Sequence, residues 1–194
     1  MIIGLAGKVC AGKSSLAEVF AQRGFVILDA DHLGHLVLEE LSADLAGHFG
    51  KGILTPEGKV NRRVLAQVVF SHPQALAELE ALVHPRILWK VQQQRQLNPT
   101  TNFVLQAAVL HKGQLVGECE AVVWVKAPWW QRLLRARRRD GRTWKEILSR
   151  EWAQRRFSIK AFGKDVDTYI VDNGKGLERA RRELAAWLDH RIPV

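Results

Sequence analysis

The chain has 194 residues, which is enough for one substantial α/β core with a small inserted subdomain but too few for two full domains. Its hydrophobic content of 47% is typical of a globular protein, and no run approaches the roughly 20 apolar residues of a membrane span, so no membrane association is expected. The net charge of +9 favours a phosphate-rich partner. The chain has only two cysteines, so no structural disulfide is expected, and without a secretory signal it is expected to be cytoplasmic.

The first predicted element is a buried strand that runs into a glycine-rich loop. The apolar run is Ile2-Ile3-Gly4-Leu5-Ala6, and the loop matches the phosphate-binding pattern Gly-x-x-x-x-Gly-Lys-[Ser/Thr]. Its glycines let successive backbone N–H groups turn toward a phosphate. The candidate nucleotide-binding residues are Gly7, Lys8, Val9, Cys10, Ala11, Gly12, Lys13, Ser14 and Ser15.

The loop pattern assigns different tasks to its last residues. Lys13 is expected to reach the β- and γ-phosphates of ATP, and the Ser14 hydroxyl is expected to hold Mg²⁺. The helix predicted over about 14–22 directs its positive N-terminal end at the same charges. The alternative to a nucleotide site is a chance match of the pattern in a glycine-rich turn. A dinucleotide-binding fold fits less well, because the pattern Gly-x-Gly-x-x-Gly is absent.

A second buried strand, predicted over 24–28, leads directly into two carboxylates. Asp29 and Asp31 then stand at the C-terminal edge of the sheet, where ligands of open parallel sheets bind and where the phosphate loop also lies. Two interpretations are open for this pair: a role in chemistry, or N-capping of the helix that follows.

The middle of the chain is predicted to be mostly helical as far as residue 98. A turn-rich connector occupies 50–58, and the sequence His84-Pro85 is expected to break the helical pattern. A helical segment between two strands is suited to a substrate-binding lobe. We expect helices at about 32–50, 61–71, 73–83 and 86–97.

Three further strands and a basic helical region complete the predicted fold. Strands are expected at 103–109, 121–125 and 168–171, a basic helix at about 129–139, a second helix at about 143–157, and a last amphipathic helix after Gly174. Five short apolar strands separated by helices predict an α/β protein with a doubly wound parallel sheet.

In this order and spacing, the segments resemble the dephospho-coenzyme A kinase family, P-loop enzymes that phosphorylate the ribose 3′-hydroxyl of dephospho-CoA in the last step of CoA synthesis. Beyond the loop, the resemblance is carried by Ile27-Leu28-Asp29-Ala30-Asp31, Asn61-Arg62-Arg63-Val64-Leu65, His84-Pro85-Arg86-Ile87, Arg139-Asp140-Gly141, Gln154 and Val171-Asp172-Asn173-Gly174. It implies a single P-loop kinase domain with its core at about 1–31, 100–128 and 165–194, a helical substrate-binding insert at about 32–99 and a basic helical lid at about 129–164.

The resemblance also implies roles for single residues. Asp31 matches the catalytic carboxylate that accepts or orients the proton of the attacking hydroxyl, which suits a reaction that depends on alignment and charge neutralisation. Arg135 and Arg139 match the lid arginines, Arg135 as a substrate ligand and Arg139 as a catalytic residue with Lys13. The alternative for the arginines is a solvated basic helix face.

Two more matches have simple alternatives. His84 matches a motif of the CoA-binding lobe and is a candidate substrate ligand, but a histidine satisfied at a helix start fits equally. Asn173 matches the residue that precedes the loop near the adenine of ATP, and it is also a common turn former before glycine.

The chain departs from the family pattern mainly near the acceptor. Gln106 stands where the family usually has an acidic residue, and Ala108 stands where it has a proline. Val109-Leu110 and His111 follow where the family has a leucine pair and soon a glutamate. The loop reads Lys8-Val9-Cys10-Ala11, where Gly-Ile-Gly-Ser is typical. Because an amide brings no negative charge to Mg²⁺, the metal is expected to depend on Ser14, Asp31, the phosphates and water.

Two other functions remain open from the sequence. A kinase of the same architecture acting on another small-molecule hydroxyl fits the altered acceptor positions. A non-catalytic nucleotide- or nucleic-acid-binding P-loop protein is suggested by nine arginines from Arg132 to Arg156, interleaved with tryptophans. Nucleic acid is the less favoured partner, because a lid already accounts for several of these arginines.

Overall fold

Five apolar segments of the chain form one parallel sheet. A computed structural model describes residues 1–107, 110, 114–140, 144, 157–162 and 166–192, with the backbone alone for residues 139, 140, 160 and 161. The strands are β1 (Ile2–Ala6), β2 (Val26–Asp29), β3 (Phe103–Ala107), β4 (Ala121–Lys126) and β5 (Thr168–Asp172).

The strand order is β2-β3-β1-β4-β5, and every pairing is parallel. The central strand β1 is buried along its whole length, which explains its continuous apolar sequence. Parallel pairing brings the C-terminal ends of all strands to one edge, with the end of β1 in the middle. The predicted doubly wound α/β sheet is therefore confirmed.

Seven helices of the described residues surround this sheet, and the core lies in two layers. On one face α1 and α7 pack against Ile3 and Leu5 of β1, and on the other face the helical segment α2 to α5 packs against Ile2 and its neighbours. Within the described parts of the chain, no helix has both the length and the apolar composition needed to cross a bilayer. The helices are α1 (Lys13–Ala21), α2 (Ala30–Glu40), α3 (Ser42–Phe49), α4 (Arg62–Ser71), α5 (Pro73–Leu97), α6 (Trp129–Asp140) and α7 (Leu177–Arg191).

The predicted helix break at His84-Pro85 is wrong, because α5 continues through Pro85 to Leu97. Proline removes one backbone hydrogen bond and crowds the preceding turn, at a cost of about 3 kcal/mol in a helix interior. Val83, Ile87 and Val91 bury their side chains on both sides of Pro85, in contact with the layer formed by α2 and α4. This burial offsets the local penalty, so packing decides the helix length.

The second strand also differs from the prediction. It begins at Val26 rather than Gly24, and Val26 is 45% exposed because β2 is an edge strand with a single neighbour. Helix α2 begins at Ala30, directly after the strand, so Asp31 lies in its first turn. The second predicted lid helix, at about 143–157, lies largely outside the described residues.

Candidate active site

The loop between β1 and α1 depends on glycine at both ends. Gly7 has φ of 154°, and a Cβ there would lie 2.6 Å from the carbonyl oxygen of Val125. Gly12 has φ of 102°, and a Cβ there would overlap the side-chain nitrogen of Asn173. The backbone of β4 and the turn after β5 therefore touch the loop closely enough to exclude any side chain at these two positions.

The end of this loop presents positive charge to a ligand. The Nζ atom of Lys13 donates to the carbonyl oxygen of Gly7 at 2.8 Å, which holds the ammonium group over the loop. Gly12 is the N-cap of α1, without a side-chain cap, and no acidic residue occupies the first turn of this helix. The exposed Ser14 stands in that turn. A helix N-terminus beside an ammonium group is an arrangement suited to an anion.

Three side chains from distant parts of the chain fix the loop backbone, and we call Gln131, Arg135 and Asn173 the loop clamp. Asn173 is 2% exposed, and its Nδ2 atom donates to the carbonyl oxygen of Ala11 at 2.7 Å. Arg135 donates through Nη1 to the carbonyl oxygens of Cys10 at 3.4 Å and Ala11 at 3.3 Å. The clamp thus satisfies carbonyl groups of the loop and fixes the path of its backbone.

Members of the loop clamp also hold each other. Arg135 donates through Nη2 to the Gln131 side chain at 3.1 Å and to the Asn173 carbonyl oxygen at 3.2 Å, and Gln131 donates to the Gly174 carbonyl oxygen at 3.0 Å. Cys10, which has φ of 59°, packs against Leu133 and Ala136 of α6. Helix α6 is therefore attached to the loop by polar and apolar contacts.

The two carboxylates after β2 have different surroundings. Asp29 caps α2, because its Oδ1 atom accepts the N–H groups of Asp31 at 2.9 Å and His32 at 3.1 Å. The capping interpretation thus applies to Asp29, while Asp31 is exposed in the first turn. In the sheet register, Gln106 pairs with Asp29 on one side and with Leu5 on the other. This register places the carboxylates and the phosphate loop along one edge.

The remaining predicted site residues lie on α5 and α6 or outside the described residues. His84 lies in the middle of α5, half-buried, rather than at a helix start, and α5 packs against α2, the helix that carries Asp31. Arg139 belongs to the last turn of α6, but its side chain lies outside the described residues, as do Ala108 and His111. The structure places Arg135 on the loop backbone, as described above.

Sequence reasoning missed three residues of this region. Gln131 lies one helical turn before Arg135, and that spacing could have indicated a side-chain pair. Arg132 is 5% exposed, with Nε donating to the carbonyl oxygen of Ala127 at 3.2 Å. Asp172 accepts the N–H of Gly174 at 2.9 Å and shapes the turn after β5. No local signal distinguished Arg132 from the other arginines of α6.

Oxygen donors for a metal ion are present but few. In the described ranges, no group of three or more histidine, cysteine, aspartate or glutamate residues is arranged to hold a metal. The edge of the sheet carries instead the Ser14 hydroxyl, the Asp31 carboxylate and the Gln106 amide. This donor set fits Mg²⁺, which prefers oxygen ligands and usually binds through one or two protein groups, substrate phosphates and water.

A parallel sheet whose central strand ends in a clamped phosphate loop defines the class of P-loop nucleotide-binding proteins. The family model described as dephospho-CoA kinase matches residues 1–178. A dephospho-CoA kinase of Moorella thermoacetica is 32% identical over an alignment covering 96% of this chain and 90% of the relative. One of Aquifex aeolicus is 32% identical, with coverages of 94% and 93%. The chain belongs to the dephospho-CoA kinase family.

One further relative and two solved structures are also similar to this chain. A dephospho-CoA kinase of Borrelia garinii is 34% identical over 128 residues, and there the chain spans only 62% of the relative's length. A crystal structure from Thermus thermophilus superimposes with a TM-score of 0.83 at 29% identity, covering 99% of this chain and 98% of that one. The dephospho-CoA kinase of Campylobacter jejuni, at 24% identity and a TM-score of 0.64, shares the fold over 97% of this chain and 96% of its own.

Proposed function

We propose that this chain transfers the γ-phosphoryl group of ATP to the ribose 3′-hydroxyl of dephospho-CoA and so completes coenzyme A. The observation that carries the proposal is the loop clamp, which fixes a phosphate loop at the same sheet edge as an exposed carboxylate. A clamped loop provides pre-oriented N–H groups for the donor, and Asp31 provides a proton acceptor for the hydroxyl. Family membership supports the identity of the acceptor.

On the donor side, residues 7–15 surround the triphosphate and Lys13 neutralises charge on its β- and γ-phosphates. The Asn173 side chain supports a purine nearby: its Oδ1 atom is buried and has no hydrogen-bond partner within the described residues. An exocyclic amino group of adenine would satisfy this acceptor. Mg²⁺, held by Ser14, the phosphates and Asp31, would supply charge compensation for the transferring group.

On the acceptor side, Asp31 orients the 3′-hydroxyl and accepts its proton as the new P–O bond forms. Asp31 lies in the first turn of α2, and the positive end of a helix attracts negatively charged groups at that position. The substrate contacts of Arg135 and His84, the lid role of Arg139 and the location in the cytoplasm remain predictions. Closure of the lid would exclude water, which competes as a phosphoryl acceptor.

The test is formation of CoA from ATP, Mg²⁺ and dephospho-CoA, followed by mass spectrometry. We expect Asp31→Asn to lower kcat by about 10²- to 10⁴-fold, the range of a general base, with little change in folding. Lys13→Ala removes the charge at the transferring phosphate and is expected to lower kcat by about 10²- to 10³-fold. The control is Asp44→Asn, an exposed aspartate in the first turn of α3.

The outcomes separate the acceptor from the mechanism. A folded wild-type protein that binds ATP but forms no CoA would contradict dephospho-CoA as the acceptor. Full activity of Asp31→Asn would instead contradict only the role of Asp31. Equal losses in Asp44→Asn and Asp31→Asn would show a general effect of charge removal at helix starts.

A further inference from the structure

Gln131 and Arg135 form a chain of hydrogen bonds from the turn after β5 to the phosphate loop. Gln131 donates through Nε2 to the carbonyl oxygen of Gly174 at 3.0 Å, and its Oε1 atom accepts Nη2 of Arg135 at 3.1 Å. Arg135 in turn donates through Nη1 to the carbonyl oxygens of Cys10 and Ala11. Among the described residues, the Gln131 side chain therefore reaches the loop through Arg135.

The partners of the Gln131 amide admit only one orientation of that group. A backbone carbonyl oxygen only accepts hydrogen bonds and a guanidinium only donates them, so the NH2 group must face Gly174 and the oxygen must face Arg135. The Gly174 end is held against the start of α6, because a Cβ at Gly174 would overlap Pro128. The half-buried Gln131 thus orients Arg135 from a fixed point.

The hydrogen bonds of Arg135 hold its guanidinium without neutralising it. All four acceptors are uncharged, namely the carbonyl oxygens of Cys10, Ala11 and Asn173 and the Gln131 amide oxygen. A guanidinium remains protonated in proteins, so its positive charge acts on any anion nearby.

This charge lies close to the start of α1. The Nη1 atom of Arg135 is 3.8 Å from the point where a Cβ of Gly12 would stand, and Gly12 is the N-cap of that helix. The positive end of α1 and the guanidinium therefore lie side by side. An anion held by the loop is attracted by both.

We propose that Gln131 is a positioning residue of the nucleotide site, which orients Arg135 on the phosphate loop and leaves its positive charge to attract the triphosphate. The inference rests on the proposed function for the identity of the nucleotide. An amide performs both tasks, because methionine lacks the donor and the strong acceptor, while glutamate would neutralise the guanidinium. The uncharged acceptor at position 131 therefore contributes to ATP affinity.

Gln131→Met tests the positioning of Arg135, because it removes both hydrogen bonds at nearly the same side-chain length. We expect the calorimetric Kd for ATP to rise about three- to tenfold, as for a lost hydrogen bond, and the KM for dephospho-CoA to stay unchanged. In an Arg135→Ala background the same substitution is expected to change the Kd by less than about twofold. The control is Gln22→Met, at the exposed C-cap of α1.

Gln131→Glu separates charge from hydrogen bonding. The carboxylate still accepts from Arg135, more strongly than an amide does, but it cancels the positive charge. We expect the Kd for ATP to rise about tenfold or more, and the Kd for adenosine, which carries no phosphate, to equal that of the wild type. Gln22→Glu places the same charge at the far end of the nine-residue α1, about 13 Å along the helix, where salt screens it, and both Kd values are expected to stay unchanged.

Three results would overturn the proposal. Tight ATP binding by Gln131→Glu, equal to that of the wild type, would show that the charge of Arg135 does not act on the ligand. Equal losses of ATP and adenosine binding would show a general distortion of the site. Additive losses from Gln131→Met and Arg135→Ala would show that Gln131 does not act through Arg135.

Formation of CoA by the wild type separates failure of this inference from failure of the proposed function. If the wild type forms no CoA while both Gln131 variants weaken ATP binding as expected, only the assigned acceptor fails. If the wild type forms CoA and both variants bind ATP as tightly as it does, only the role of Gln131 fails.

Discussion

The donor and acceptor edges of this site are built by different means. At the donor edge, the phosphate loop is clamped by Gln131, Arg135 and Asn173, with sequence separations of up to 162 residues between bonded partners. At the acceptor edge, Asp29 caps α2 through partners two and three residues away, on an exposed edge strand. The described side-chain hydrogen bonds to the phosphate loop are long-range, whereas those that Asp29 accepts are local.

This difference predicts how each edge responds to substitution. Changes at the donor edge disturb several packed elements together, so stability and nucleotide binding are expected to fall in parallel. A substitution at the acceptor edge disturbs few neighbouring side chains, so activity is expected to fall with little change in stability. The following predictions are ordered from the largest expected effect to the smallest.

Gly12→Ala is expected to have the largest effect. The new methyl group overlaps the Asn173 side chain and forces alanine to φ of 102°, so we expect a loss of about 2–4 kcal/mol in unfolding free energy and of ATP binding. Chemical denaturation and calorimetry measure both. Gly47→Ala in α3, with no atom within 4 Å of the added Cβ, is the control and is expected to be neutral or stabilising by about 0.5–1 kcal/mol. Equal stability of the two variants would contradict a tightly clamped loop.

Arg135→Ala removes the charged member of the loop clamp. We expect a loss of about 1–3 kcal/mol in unfolding free energy and a higher KM for ATP. The carbonyl oxygen of Cys10 loses the Arg135 donor, and that of Ala11 keeps only its bond from Asn173. Arg138→Ala, on the exposed side of the same helix, is expected to stay within about 0.5 kcal/mol of wild type. A KM change confined to dephospho-CoA would instead favour Arg135 as an acceptor ligand over a residue that positions the loop.

Asp29→Ala and Asp31→Ala separate structure from chemistry at the acceptor edge. Loss of the N-cap at Asp29 is expected to cost about 1 kcal/mol of stability while measurable activity remains. Asp31→Ala is expected to abolish activity at a cost of about 0.5 kcal/mol, from the lost charge near the helix N-terminus. Thermal unfolding and CoA formation, measured on both proteins, test the pair, and a reversed pattern would assign the chemistry to Asp29.

The smallest expected effect concerns the thiol of Cys119. Burial, assisted by Glu118 and Glu120, raises the pKa of Cys119 to about 12, so the thiol is protonated at pH 8. Iodoacetamide at that pH is expected to spare Cys119 in the folded protein and to modify it after denaturation. Because the pKa is raised by folding, stability from this thiol is retained below pH 9 and is lost as the pH rises toward 12. Rapid labelling of folded Cys119 at pH 8 would contradict this burial.

The strand, loop and helix of residues 2–21 were predictable from the sequence because their signal is local. A strand, a glycine-rich loop and a helix follow each other within 21 residues, and Gly7 and Gly12 occupy the positions where the structure excludes a side chain. The five strands were also predictable from short apolar runs. Their order was not read from the sequence, because it depends on how the crossovers pack.

Other features depend on contacts that no short pattern records. Pro85 indicates a helix end by its local chemistry, yet burial of Val83 and Ile87 keeps α5 continuous. The loop clamp joins Ala11 to Arg135 and Asn173, which are 124 and 162 residues away. Arg132 differs from its neighbours on α6 only by facing the sheet. These properties follow from the tertiary fold.

The long separation within the loop clamp has a consequence for synthesis of the chain. Asn173 follows 162 positions after Ala11, its hydrogen-bond partner in the phosphate loop. At about 5–20 residues per second, the ribosome needs roughly 10–30 s to reach that point. During this interval the nascent loop has no partner for its carbonyl groups from the turn after β5. The phosphate loop can therefore complete its clamp only after Asn173 has been made.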